Sequence, residues 1–431
     1  MNENCYFYFF NNYFSSLTNR KKCAKFYYVI FLYIFYMRNL FKNINLLPAF
    51  FLCVYPVLLV IFTIVFLQYN DYKTSYLILG VVTYYIANIS IGVGMHRLWS
   101  HGAYRTKTWV ECILAVLTAG TLQGPILGWC SDHFKHHTYT DEERDPHSPQ
   151  KYHGGIKGFL WSHVGWMMVG ELSYKNIDRI TLKKLGKNKV VMWQYHNYWI
   201  LAVSMNLVLP LAIGFALYGT LVGAVGAFLF MGVGRALQQQ MTFCVNSLCH
   251  FVGKRTYYAG TARDIWWMFI FLLGENWHNF HHAFARDYRN GMKWYQLDIH
   301  KWIIAGMEKL GLAWDLVRTP EERINAKINE TEKSIIETYN KKLEAALART
   351  GEIATSARKQ LEAYESAARN MKDSAAVKLR ELERLAEQLR AKLRDAMENC
   401  DQLCDKSIKI IQKRLGRLEK YAARLGVMAS A

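Results

Sequence analysis

Residues 109–128, "WVECILAVLTAGTLQGPILG", decide the fold of this 431-residue chain. They are apolar enough to suggest a membrane span, and histidines flank them on both sides. His96 and His101 precede the stretch in "HRLWSH", and His133, His136 and His137 follow it in "HFKHH". A crossing would place the two groups on opposite sides of a bilayer, about 30 Å apart. The stretch also carries Glu111, Gln123, three glycines and Pro125, which suits short buried, re-entrant or interfacial helices packed beneath a cap. On that reading both histidine groups stay on one side.

Working outward, spans of about 20 apolar residues are expected at about 46–67 and 75–95, joined by "QYNDYKT". A second pair is expected at about 197–218 and 221–245, turned by "LYGT". The chain thus reads as an all-α integral membrane protein of two hairpins, multi-pass, with a helical cap on the cytoplasmic side. Arg20, Lys21, Lys22, Lys25, Arg38 and Lys42 precede the first span, and Lys73 alone lies in the first hairpin loop. That asymmetry places both termini in the cytoplasm, at a bacterial inner membrane or, in a eukaryote, the endoplasmic reticulum.

Two flanking regions differ from this domain of 46–318. Residues 1–45 hold the aromatic run "FYYVIFLYIFYM" at 26–37 behind a basic cluster, too short to span and read as an interfacial segment. Met37 offers an alternative start, which would make residues 1–36 a gene-model extension. Within 320–431 tryptophan is absent and Lys, Arg, Glu and Ala dominate. Leu379, Leu382, Ala386, Leu389, Leu393, Ala396, Cys400 and Leu403 recur at alternating three and four spacings, the seam of a coiled coil or helical hairpin, with Gly351 and Gly416 as breaks. A self-associating seam would make the protein a homo-oligomer.

The formal charge of +19 comes from residues that flank apolar runs or alternate with acids, so a lipid surface explains it and nucleic acid does not. The nine cysteines are scattered without a paired motif, as reduced thiols are.

Nine of the fourteen histidines fall in four places: the two boxes above, His250 in "NSLCH", and His278, His281 and His282 in "HNFHH". In an HxxHH box on a helix all three rings share one face. Imidazole suits iron, copper, zinc or nickel, and nine ligands exceed what one six-coordinate ion accepts, so the economical count is a dinuclear site.

These boxes, with "LQGPILGW", "DPHSP", "SHVGWM" and "GENWHNFHH", resemble the membrane fatty-acyl desaturases of the delta-9, stearoyl-CoA desaturase-like type, most closely the bacterial branch. The resemblance implies four spans under a cytoplasmic domain that holds two irons. It makes all nine histidines ligands and lets Asn246 reach a metal through water. It places Gln123, Trp129 and Thr242 at the bend of an acyl tunnel and Tyr84 near its closed end, with Asn88 one turn later. Animal acyl-CoA enzymes keep basic residues where this chain has Ser131, Gly170 and Glu171. An acyl-CoA held differently, an acyl lipid or an acyl carrier protein therefore all fit. Asp132, Asp145, His147 and Glu275 adjoin the boxes and suit hydrogen bonds that orient ligands, as does His163. His153, His196 and His300 lack a partner motif and read as surface or interfacial residues.

The expected reaction is oxygen-dependent insertion of a cis double bond, with two ferrous ions, dioxygen as co-substrate and external electrons. The chain has no haem, iron–sulfur or dinucleotide motif of its own, so ferredoxin or a b-type cytochrome with its reductase is the expected donor. The runner-up is a histidine-box hydroxylase or alkane-type monooxygenase, and a non-catalytic membrane scaffold is a third reading. If Asn88 narrows the tunnel end, Asn88→Ala should shift products towards longer chains.

Overall fold

The computed structural model describes residues 44–170 and 177–367, together with Arg384 and Gln388. The first apolar run forms α1 (Leu46–Tyr69) and turns at 70–73 into α2 (Thr74–Ser100). The last turns of α2, Ser90–Ser100, are π-wound, and His101 N donates to His96 O across five residues at 3.1 Å. At α-helical winding a five-residue spacing turns side chains about 140° apart. The wider π turn brings them together instead, and the His96 and His101 ring centroids lie 4.8 Å apart.

Residues 109–128 do not form one span. α3 (Thr108–Ala119) is 12 residues long, about 18 Å, too short to cross. A turn at 120–125 follows, and then α4 (Ile126–Tyr139), which carries the second box. Backbone groups of that turn lie among apolar helices and need partners. Gln239 Nε2 donates to Leu122 O at 3.0 Å, Gly124 N donates to Tyr198 Oη at 3.0 Å, and Ile126 N donates to Gln194 Oε1 at 3.2 Å. Gly124, at φ +94°, supplies the left-handed residue the turn requires.

α5 (Arg179–Leu185) leads into α6 (Lys189–Tyr218), which turns through left-handed Gly219 into α7 (Leu221–Phe251). The Thr220 hydroxyl caps α7 by accepting from Gly223 N at 3.0 Å. α1, α2, α6 and α7 are long and apolar enough to cross a membrane. α7 packs most extensively on α2 and α6. Small residues allow this: a Cβ at Gly234 would lie 2.1 Å from Gly80 O. The outer faces of α1 and α6 keep residues such as Phe62, Ile64, Ile200 and Val208 exposed, as a lipid-facing surface does.

Beyond α7 the chain carries the third box on α8 (His278–Ala283), followed by α9 (Ile299–Lys309). Arg105–Thr106 pairs antiparallel with Ala313–Trp314, tying the chain after α2 to the end of this unit. The charged helix α10 (Glu321–Ala367) runs on into a separate unit that begins at Asn325. Gly351 does not break it, contrary to the expectation from sequence. The segment around it is rich in Ala, Leu, Lys, Arg and Glu, and one interior glycine costs only about 1 kcal/mol. The tail seam at 379–403, Gly416, Glu171 and the aromatic run at 26–37 lie outside the described residues.

Candidate metal centre

The nine histidines converge from four elements into two groups. His96, His101, His133, His137 and His281 form one, and His136, His250, His278 and His282 the other. Within each, the potential ligand atoms lie within 4.8 Å of one another. In the first, His281 Nε2 is 3.0 Å from His96 Nε2 and 2.9 Å from His137 Nε2, and the Nε2 atoms of His101 and His133 are 2.8 Å apart. In the second, His282 Nε2 is 3.2 Å from His136 Nε2 and 3.0 Å from His278 Nε2, which is itself 3.1 Å from His250 Nε2.

Hydrogen bonding cannot account for these contacts. An Nε2 atom offers one proton or one lone pair along a single direction, yet His281 and His282 each face two other ring nitrogens. Neighbouring lone pairs at right angles around one cation, with metal–nitrogen distances of about 2.1 Å, sit about 3.0 Å apart. The donor sets fit two metal ions, five imidazoles at one and four at the other.

Burial keeps the rings neutral, as ligation requires. It pushes His101, His133, His136, His278, His281 and His282 well below the ordinary imidazole range, and His137 to about 3.

The far nitrogens are held from behind. His136 Nδ1 lies 3.0 Å from Asp145 Oδ2, and burial raises that carboxyl to about 8. His250 Nδ1 lies 2.7 Å from the Thr261 hydroxyl, which in turn bonds Asp141. His96 Nδ1 lies 2.8 Å from Glu275 Oε2. Burial alone would raise Glu275, but neighbouring His96 and Arg97, with hydrogen bonds from His300 and His96, hold it well below the usual carboxylate range.

Glu275 is the hub of a buried network that sequence reading only partly found. Arg97 Nη2 lies 2.9 Å from Glu275 Oε1 and 3.0 Å from Asp298 Oδ1. His300 Nδ1 lies 3.0 Å from Glu275 Oε1, and Asn290 Nδ2 donates to Oε2 at 3.0 Å. His300 is fully buried, which corrects its reading as a surface residue. Its ring packs on Gly92, where a Cβ would come within 2.1 Å of it. The available signals were a charged Arg97 inside a histidine box and Asp298 at the start of α9.

The other expected residues divide. His147 packs against His136 with ring centroids 4.1 Å apart and the rings tilted by 31°. His163 Nδ1 lies 2.9 Å from the Ser247 hydroxyl rather than beside a ligand ring, and His196 bonds Met192 O at an exposed site. A cavity of about 480 Å³ reaches His96 and His133 and is walled by Gln123, Trp129, Thr242, Asn246, Asp132 and His147. Gln123 accepts from Trp129 Nε1 at 3.3 Å, and Thr242 accepts from Gln238 Nε2 at 2.6 Å. Tyr84 and Asn88 are not part of this wall; both are buried and donate to Phe271 O at 2.7 Å. Leu47, Phe51 and Trp199 line the cavity at the lipid-facing side of α1 and α6. Ser131 is fully buried, its hydroxyl accepting from Asp178 N at 2.9 Å.

Asn279, between the histidines of the last box, proves to be a clip. Its Oδ1 accepts from the backbone N–H groups of Thr256, Tyr257 and Tyr258, and its Nδ2 donates to Tyr258 O and Ala262 O. Asn279→Ala strands these groups at about 1–3 kcal/mol for each that stays dry. We expect a thermal midpoint lower by roughly 5–10 °C and weaker metal retention; an unshifted melt would show that water replaces the clip.

The sequence model of one family, described as "Fatty acid desaturase", matches residues 74–317. A "Probable acyl-CoA desaturase" of Schizosaccharomyces pombe is 32% identical over 311 residues, covering 71% of this chain and 62% of that protein. In Arabidopsis thaliana, "Delta-9 desaturase-like 5 protein" is 36% identical over 58% of this chain and 80% of its own length. "Delta-9 acyl-lipid desaturase 1" from the same plant is 35% identical over 56% and 75% respectively.

Proposed function

This chain belongs to the fatty acid desaturase family, and we propose that it is an oxygen-dependent fatty-acyl desaturase that places a cis double bond at the delta-9 position of a saturated chain. The observation that carries this is the pairing of two imidazole groups with an apolar cavity that ends at one of them. The acyl group arrives on CoA or on a lipid. Buried Ser131 occupies one of the positions at which animal acyl-CoA enzymes keep a basic head-group contact.

Two irons held by the nine histidines would supply, with dioxygen and two external electrons, the oxidising power to break two unactivated C–H bonds. The net reaction takes up acyl chain, dioxygen, two electrons and two protons and yields alkene and two waters. The chain's own residues do the rest. Glu275, Asp145 and Thr261 fix ring orientation through the far nitrogens, and the cavity walls exclude water and set which carbons lie beneath His96 and His133. Methylenes offer no polar handle, so position comes from geometry, which contributes several kcal/mol when held well. Asn246 lines the same wall and suits a water-mediated contact to the centre.

Thr242 sits at the cavity beside Gln238, clear of the histidines' far nitrogens. Thr242→Leu is expected to cut conversion at least about tenfold while iron per chain stays within error of wild type, read by lipid analysis beside metal quantification. Equal loss of both would remove Thr242 from the tunnel. The reading as a whole is tested by expression in a desaturase-deficient host with mass spectrometry of the membrane lipids. Loss of two hydrogens supports it, whereas gain of one oxygen assigns a hydroxylase.

A further inference from the structure

α7 carries a cation at a depth where the protein supplies no anion. Arg235 is 3% exposed and stands near the middle of α7, about 20 Å of helix from either end. No Asp or Glu occurs in α1, α2, α6 or α7, and none of the three guanidinium nitrogens has a hydrogen-bond partner among the described residues. The guanidinium rests over the Tyr55 ring of α1, 5.3 Å from its centroid. Tyr198 on α6 is the other group that acts on it electrostatically; both are phenols rather than anions. One turn further along the same side of α7, Oε1 of Gln238 and Oε1 of Gln239 are buried and also without a hydrogen-bond partner among the described residues. Arginine keeps its charge in a protein, so an intramembrane guanidinium with no counter-ion on the chain points to a ligand of opposite charge.

We propose that Arg235 receives the carboxylate of an unesterified long-chain fatty acid whose alkyl chain lies in the apolar cavity. A guanidinium fork matches a carboxylate with two parallel hydrogen bonds, and a protonated carboxyl has a hydroxyl to donate to a glutamine oxygen. Depth selects this ligand. A hydrocarbon core about 30 Å thick keeps lipid phosphates about 15 Å from its middle, whereas a fatty acid enters it in neutral form. Access and space are also present. The Tyr55 ring meets Phe51 with centroids 5.8 Å apart, and Phe51, Leu52 and Tyr198 wall the cavity of about 480 Å³. Half-buried Tyr55 thus stands between Arg235 and the lipid-facing side of that cavity. Two and three turns further along α7 are Thr242 and Asn246, which line the same cavity, so a chain anchored at Arg235 extends towards His96 and His133. There it takes up space that an esterified substrate needs. That competition rests on the desaturase reading; the carboxylate site does not.

The test uses the full-length chain in nanodiscs of zwitterionic lipid, with palmitic acid as the probe, methyl palmitate as its uncharged counterpart and empty nanodiscs as the blank for partitioning. Wild type should bind palmitate saturably, about one per chain. Arg235→Met should weaken that binding at least about tenfold, while methyl palmitate binds both proteins alike. Arg235→Gln keeps a polar side chain in place and should lose palmitate in the same way, which covers a failure of Arg235→Met to fold. Palmitate should raise the thermal midpoint of wild type and not of the variants. Equal palmitate binding by wild type and both variants overturns the proposal and leaves Arg235 a structural partner of Tyr55. Parallel loss of methyl palmitate also overturns it, by tracing the effect to the shape of the cavity or to a neutral ester carbonyl. In wild type, palmitate should slow turnover of an esterified substrate competitively; saturable binding without competition would overturn the placement of its chain in the cavity. Absence of any alkene from wild type would instead strike at the desaturase reading, with the carboxylate site still decided by the binding arms.

Discussion

His281→Ala is expected to reduce bound iron from about two to about one per chain and to leave less than about 1% of wild-type product. His281 is central to the five-imidazole group, with its Nε2 within 3.0 Å of both His96 and His137. It also comes from α8, whereas the other four come from α2, α4 and the residue after α2. Its removal therefore takes away the one ligand that ties the C-terminal box to that ion. The second group keeps all four of its histidines, so the loss of metal should be partial while the loss of activity is nearly complete. Exposed His196 provides the control: His196→Ala should change neither quantity. Full iron occupancy in His281→Ala would remove His281 from the ligand set.

The second large effect is expected at Arg97, which touches no metal position. Arg97→Met leaves Glu275 and Asp298 as buried carboxylates without their cation, and breaking such a pair from one side costs about 3–5 kcal/mol. The thermal midpoint should fall by roughly 10 °C, and iron should be lost from the His96 side, because Glu275 no longer has a fixed position behind that ring. Arg97→Met/Asp298→Asn should recover part of the midpoint by removing one of the stranded charges. A melt and metal content equal to wild type in Arg97→Met would show that His96 is placed without the network. Gly92→Ala offers an independent route to the same place, since the added methyl displaces His300 and, through it, Glu275.

Much of the histidine cluster was legible in the sequence because its members sit in local patterns. An HxxHH box announces itself by helical spacing, and three boxes and His250 with the right parity of spans announce a common side. The HxxxxH box was less transparent, because five residues share a face only on a π-wound helix, and no residue preference announces that winding. What escaped reading was the layer behind the ligands. Arg97 and Asp298 are 201 residues apart, Asn279 and Thr256 are 23 apart, and such pairings are set by the packing of whole elements. The helices extend beyond the expected spans at their ends. α6 begins at Lys189 rather than near 197, because apolarity fades at the bilayer surface before the helix does.

The turn at 120–125 carries a consequence for how the protein is made. Its backbone groups are satisfied by Gln194 and Tyr198 on α6 and by Gln239 on α7, all of which leave the ribosome later than the turn itself. The segment between the two hairpins therefore cannot settle into apolar surroundings as it emerges; it must wait, hydrated, at the membrane surface until the second hairpin has inserted. The histidine groups assemble in the same order, since each takes at least one member from α8. Maturation is thus a closing step that runs from the C-terminal side backwards, and a chain halted before α8 would hold its first two boxes unassembled.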